Sequence, residues 1–205
     1  MNIICFGDSI TEGAEFAKPE RWPSVLQSKL DSGQMGRFKV YNRGVGGDTT
    51  ACGFDRLDTD VLPLLPGLLL VQFGFNDANV RDWAVVPRVG LQEFKKNLRE
   101  FHRIACASRG LCVFVMNHTI DAGSGCQGNA NSYQDNVAPY NVAIREAARE
   151  LSAPFIDLPR RMRQWNVSLH AFVAEDGLHL TTTGNHLYAD MVFDAFKDIL
   201  TSPYT

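Results

Sequence analysis

Short, continuously apolar runs alternate along this chain with longer segments in which apolar residues recur every three or four positions. Ile3–Phe6 is the first run, and Phe38–Tyr41, Leu68–Phe73, Leu111–Met116 and Pro154–Leu158 follow it. Runs this short and this apolar predict strands covered on both faces, as in a parallel sheet. Between them, Pro19–Leu30 carries Trp22, Val25, Leu26 and Leu30 at helical spacing. Asp48–Leu57 predicts a short helix with Asp48 as its N-cap. Leu91, Phe94, Leu98, Phe101 and Ile104 mark one face of a further helix. Gln134–Leu151 predicts another, and Thr181–Leu200 closes the chain with Leu187, Met191, Phe196 and Leu200 at its apolar positions. Strands and helices in strict alternation predict an α/β architecture of three layers, α/β/α, around a five-stranded parallel sheet with right-handed crossovers. No internal repeat, linker or low-complexity tract interrupts the pattern, so residues 1–205 are expected to form one domain. The one loose stretch, Asp121–Asp135, is rich in Gly, Ser and Asn and predicts a loop after the fourth strand.

Composition narrows the function classes. Of 205 residues, 45% are hydrophobic and 21% charged, which is ordinary for a globular chain. The net charge of -3 and the absence of a Lys/Arg cluster exclude a nucleic-acid footprint. The longest apolar stretch, Leu62–Val71, contains Pro63, Pro66 and Gly67, far from the roughly 20 apolar residues a membrane span needs. Met1 and Asn2 form no basic leader region, and on that ground a cytoplasmic location is expected. The five cysteines are odd in number and include no CxxC pair, so free thiols are expected rather than a disulfide framework. Neither their spacing nor that of the histidines fits a metal site.

Ligands of open α/β sheets bind beyond the carboxyl ends of the strands, and the residues there are polar. Gly7-Asp8-Ser9 follows the first strand, and Asn42-Arg43-Gly44-Val45-Gly46-Gly47-Asp48 the second. Gly74-Phe75-Asn76-Asp77 follows the third, and Asp176-Gly177-Leu178-His179 precedes the last helix. A serine after a strand often makes only a turn or a helix cap. A second use emerges when the clusters are taken together. Serine becomes a nucleophile when a base removes its proton, and His179 is the candidate base for Ser9. Asp176, three residues before His179, can orient the imidazole. The N–H groups of Ser9 and Gly47 and the side-chain amide of Asn76 can meet a developing oxyanion. Val80 and Trp83 are expected as an apolar wall or as core, Asp8 as a cap that pins the loop or as a pocket residue, and His118 as structural or, because it follows the fourth strand, as pocket lining. His102, His170 and His186 are expected to be structural.

The blocks FGDSITEG, NRGVGGDTT, GFND and DGLHLT, in this order from Gly7 to Thr181, resemble those of the SGNH-hydrolase (GDSL esterase/lipase) superfamily. The resemblance implies a flavodoxin-like SGNH-hydrolase fold. It also implies Ser9 as nucleophile, Asp176 and His179 as the rest of a triad, and Ser9, Gly47 and Asn76 as the oxyanion hole. The second block carries an additional glycine, Gly46. Gly44 therefore stands beside Gly47 as a possible donor, with Gly47 favoured because it directly precedes Asp48. The G-x-S-x-G elbow of the α/β-hydrolases is absent.

The expected activity is hydrolysis of carboxylic esters through an acyl-enzyme, with a small-molecule ester as partner and no cofactor. The polar Asp121–Asp135 loop and the lack of a long apolar lid favour short-chain or acetyl esters. A thioesterase or lysophospholipase on the same machinery, or an acyltransferase, is the alternative. A binding protein that had lost the chemistry is a further class, disfavoured because every expected catalytic residue type is present.

Overall fold

The computed structural model describes residues 1–33, 37–121 and 125–201. The strands are β1 (Asn2–Gly7), β2 (Lys39–Gly44), β3 (Gly67–Gln72), β4 (Leu111–Val115) and β5 (Phe155–Ile156). The helices are α1 (Ser9–Glu12), α2 (Trp22–Ser32), α3 (Thr50–Asp55), α4 (Leu57–Asp60), α5 (Phe75–Ala78), α6 (Leu91–Ala107), α7 (Tyr133–Glu150), α8 (Leu158–Gln164), α9 (Leu169–Phe172) and α10 (Thr182–Thr201). The five strands form one parallel sheet in the order β2-β1-β3-β4-β5. The three-layer expectation holds: α2 and α10 cover one face, and α3, α6 and α7 the other.

Burial explains the strand pattern. Every residue of β3 is buried, as a central strand sandwiched between helix layers requires. On the α6 side, Phe101 stands edge-on to Phe6 at 5.6 Å between ring centroids and stacks with Phe54 at 4.9 Å. On the other side, Trp22 of α2 packs on Tyr188 of α10 at 4.8 Å, and Phe38 on Phe196 at 5.3 Å. Each fully buried aromatic of this kind typically contributes about 3–5 kcal/mol relative to alanine. The expected apolar face of α10 is present at Met191 and Phe196, both buried. Leu200 lies outside the described side chains, as do residues 122–124 of the expected Asp121–Asp135 loop.

Register decides where the polar clusters meet. Gly7 at the end of β1 pairs with Gly44 at the end of β2 and with Gln72 at the end of β3. The three strands therefore stop at one level, and the chain after each emerges at the same sheet edge. From β1 the chain runs outward to β2 on one side and then returns past it to β3. This reversal is the switch point at which α/β sheets open a crevice. Ser9 and Asn76, after β1 and β3, straddle it.

Candidate active site

The turn carrying Ser9 is built from glycine contacts and one carboxylate. A Cβ at Gly7 would lie 2.5 Å from both the Gln72 carbonyl oxygen and Thr11 Oγ1, so only glycine lets the strand end there. Asp8 is extended and caps α1, its Oδ1 accepting from the Ile10 N–H at 3.0 Å. Ser9 is thus the first residue of a single helical turn, which Gly13 closes in the left-handed region at φ 59°. Trp22 Nε1 donates to the Ile10 carbonyl at 2.9 Å, and Thr11 Oγ1 donates to Gln72 Oε1 at 2.8 Å, fixing the turn from both sides. Gln72 in turn donates to Asn117, whose own amide donates to the Phe73 carbonyl.

The second block lies against this turn. A Cβ at Gly44 would sit 2.1 Å from the Glu12 nitrogen, so Gly44 is required by the close approach of β2 to α1. The Gly44 N–H is taken by Asn42 Oδ1 at 2.9 Å and the Gly46 N–H by Glu12 Oε2 at 2.7 Å. Gly47, at φ 79°, has open space where a Cβ would stand, and among the described residues its N–H meets no acceptor. Asp48 does not cap the following helix, which begins at Thr50. Thr49 caps it by accepting from Cys52 N–H, because Arg56 draws Asp48 into an ion pair of 2.6 Å. The same guanidinium donates to the Gly7 carbonyl at 2.9 Å and lies 4.4 Å above the Phe6 ring, pinning this loop to the end of β1.

Asn76 stands half-buried on α5, after Gly74, where a Cβ would meet Asn117 Nδ2 at 2.4 Å. Its Oδ1 accepts from Arg88 Nη1 at 3.2 Å. The adjacent Asp77 is buried and ties α5 to α3, accepting from Thr50 N–H at 2.9 Å and Thr50 Oγ1 at 2.5 Å. Burial pushes its carboxyl up to about 6, against the pull of those two bonds.

Asp176 and His179 sit on a tight turn closed by the Val173–Leu180 bridge. Asp176 Oδ1 accepts from the N–H groups of Leu178 and His179, each at 2.9 Å. Oδ2 faces His179 Nδ1 at 2.6 Å, and His179 Nε2 lies 2.9 Å from Ser9 Oγ. Burial pushes the Asp176 carboxyl up, but the His179 side chain and the two backbone donors outweigh it and hold it below the usual carboxylate range. An ionised Asp176 can only accept, so Nδ1 carries a proton and the Nε2 lone pair faces the Ser9 hydroxyl. This arrangement can deprotonate a serine hydroxyl and return the proton to a leaving group.

The remaining predicted residues divide by burial. His118 takes the structural of its two readings, and the pocket-lining one is corrected: it is 1% exposed, flanked by Phe75 and Phe172, and its Nε2 donates to the Leu178 carbonyl at 2.9 Å. Burial pushes its imidazole down to about 4 and keeps it neutral. Val80 is likewise buried, its N–H bonded to Gln127 Oε1, so it forms no exposed wall. Trp83 is 87% exposed and packs in no core, and Asp8 is fully buried as the α1 cap. Two residues were missed. Arg56 and Arg88 act across loops on partners 8 and 12 positions away, spacings that leave no mark on a hydrophobic pattern. Among the described residues no group of three or more His, Cys, Asp or Glu could hold a metal ion, and no helix is long and apolar enough to cross a membrane.

Comparison with known proteins agrees with this arrangement at the level of family and fold. The model of the GDSL-like lipase/acylhydrolase family matches residues 5–187. The lipoprotein YqeF of Bacillus subtilis is 34% identical over 96% of this chain and 88% of its own. A mouse homologue of isoamyl acetate-hydrolyzing esterase 1 is 26% identical over 89% of this chain and 76% of its own. The crystal structure of a lipase/acylhydrolase from Enterococcus faecalis superposes with a TM-score of 0.80 at 25% identity, covering 97% of this chain and 96% of that one. The expected cytoplasmic location is overturned by the Bacillus relative, which matches nearly the whole chain and is a lipoprotein.

Proposed function

The chain belongs to the GDSL-like lipase/acylhydrolase family and is an ester hydrolase, and from that premise we propose that Ser9, His179 and Asp176 are its catalytic triad. The observation that carries this reading is the unbroken line from Asp176 Oδ2 through His179 to Ser9 Oγ, with steps of 2.6 and 2.9 Å. Ser9 Oγ attacks the ester carbonyl as His179 Nε2 takes its proton, and Asp176 supports the imidazolium. The oxyanion meets the N–H groups of Ser9 and Gly47 and the Asn76 amide. Gly47 is preferred to Gly44 because Gly44 has already committed its N–H to Asn42. Collapse of the tetrahedral intermediate breaks the bond to the alcohol, which leaves with the proton from Nε2. Water, deprotonated by the same nitrogen, then releases the acyl group from Ser9.

The substrate favoured is a short-chain ester, an acetyl ester above all. A groove of about 780 Å³ next to the Asp176–His179 turn is lined by Asp121, Ser168, His170, Glu175 and Thr181 together with Leu169, Val173 and Ala174, a mixed lining with room for a polar alcohol moiety. The mouse relative's name specifies an acetate ester. One observation favours the second reading, a longer acyl chain as in a lysophospholipase or long-chain thioesterase. Trp83, Val85 and Val86 stand exposed on the segment between Asn76 and Arg88. Initial rates on p-nitrophenyl esters from acetate to palmitate separate the two: kcat/KM highest for acetate supports the first, and a maximum at long chains replaces it with the second.

A further inference from the structure

An oxyanion donor on a side chain has a problem that a backbone N–H does not. The amide of asparagine turns about a broad, roughly two-fold torsion, and its oxygen and nitrogen exchange places when it does. An Asn76 turned the wrong way would aim a lone pair at the negative charge it is meant to stabilise.

Resting on the reading of Asn76 as an oxyanion donor, we infer that Arg88 is a positioning residue that sets the Asn76 amide with Nδ2 toward the nucleophile. The guanidinium has five N–H donors and no acceptor. The Asn76 atom facing Arg88 Nη1 at 3.2 Å is therefore the oxygen, and the NH₂ is the other arm of the planar amide, turned away from Arg88. Arg88 itself is held. Its N–H donates to the Asn79 carbonyl at 3.1 Å, and the next N–H, of Val89, donates to the Asp77 carbonyl at 3.1 Å. The segment from Asn79 to Val89 thus returns to the helical turn that carries Asn76. At its other end, Val80 N–H is fixed by Gln127 Oε1 at 2.9 Å. The side chain is half-buried, so its contact with Asn76 is less screened than a surface pair would be.

The contact has a second effect. A cation at the amide oxygen draws electron density from the nitrogen and makes its N–H a stronger donor, by the mutual polarisation of linked hydrogen bonds. Arg88 therefore acts on the oxyanion through Asn76, without touching the substrate. Its influence is felt where charge develops, in kcat, and vanishes when Asn76 is gone.

A double-mutant cycle on p-nitrophenyl acetate tests this with Arg88→Ala, Asn76→Ala and the double variant. Arg88→Ala is expected to lower kcat about tenfold, a part of the roughly 100-fold or more that deleting an oxyanion donor costs. KM should stay within about twofold. In the Asn76→Ala background the same substitution should change kcat by less than about twofold. Arg88→Lys, which keeps a charge and a donor, should recover most of the loss. Added guanidinium ion should rescue Arg88→Ala but not the double variant. If Arg88→Ala folds poorly, Arg88→Met, which keeps the length of the side chain but neither its charge nor its donors, carries the same cycle. An equal loss in both backgrounds, or a loss confined to KM, overturns the inference. An active Ser9→Ala overturns instead the site reading beneath it. An inactive Ser9→Ala with an impaired Asn76→Ala and an independent Arg88 overturns this inference alone.

Discussion

Replacing Asp8 by asparagine should make the protein more stable at neutral pH and less so, relative to wild type, in acid. Asp8 is fully buried beside the nucleophile, and its Oδ2 has no hydrogen-bond partner among the described residues. Burial pushes its carboxyl up, the Ile10 N–H and the nearby Gln72 side chain pull it back, Asp77 raises it again and His179 lowers it slightly, leaving it at about 7 against an ordinary 3.8. Well below pH 3.8 the group is protonated in the folded and unfolded chain alike, and it costs nothing. Between the two values the unfolded chain has lost the proton and the folded chain has kept it, so folding takes up a proton and stability falls as pH rises. Above about 7 the full cost is present: the distance from 3.8 to about 7, at about 1.4 kcal/mol per pH unit, gives at most about 4 kcal/mol. Asparagine keeps an oxygen for the Ile10 N–H and cannot ionise. Urea unfolding of both proteins at pH 4.5, 6 and 7.5 should show the variant gaining up to about 3 kcal/mol on wild type across this range. In a chain of this size that is about 6–12 °C in melting temperature. Asp77 titrates in both proteins and largely cancels in the difference. A stability difference that stays constant with pH would refute the reasoning, for it would mean that Asp8 is ionised in the folded protein throughout.

Other consequences follow from the same geometry. In Asp176→Asn, the N–H groups of Leu178 and His179 hold the amide oxygen, so its NH₂ faces His179 Nδ1. The proton is then forced onto Nε2, where it cannot accept from Ser9, and kcat should fall by about 10⁴ with KM little changed; a loss under tenfold would contradict the tautomer argument. The two glycines of the second block should part company in thermal melts. Gly44→Ala drives a Cβ into the Glu12 and Thr11 backbone and should cost more than about 3 kcal/mol, whereas Gly47→Ala meets no atom and bears only the strain of φ 79°, about 1–2 kcal/mol. The reverse order would refute the packing account.

Much of this architecture was legible because burial leaves a period in the sequence. The runs at Ile3–Phe6 and Leu68–Phe73 match β1 and β3 to within a residue or two, since both faces of a central strand must be apolar. The face from Leu91 to Phe101 marks α6 because a two-layer contact needs that stripe. The one-turn helices α1, α5 and α9 were not foreseen. Four residues are too few to show a period, and what forms α1 is a cap at Asp8 and a left-handed Gly13. The expected Asp48–Leu57 helix broke into α3 and α4 because Asp48 and Arg56 serve the loop contact to Gly7 rather than a helix. Among the site residues, Ser9, His179 and Asp176 were legible from chemistry and order, and the structure brings them into one hydrogen-bonded line. His118 carried two readings since a histidine after a strand reads alike whether it faces a ligand or, as here, the Leu178 carbonyl. Arg56 and Arg88 were invisible because an arginine on a loop declares neither its partner nor its purpose until the chain is folded.

The central claim is that Ser9 is a nucleophile activated by His179. It is tested most directly by treating the protein with a fluorophosphonate and locating the adduct by peptide mass spectrometry. The account predicts one adduct, on Ser9, formed far more slowly in His179→Ala and absent in Ser9→Ala. Labelling at another residue, or an unlabelled Ser9 in a protein that still hydrolyses esters, would contradict it.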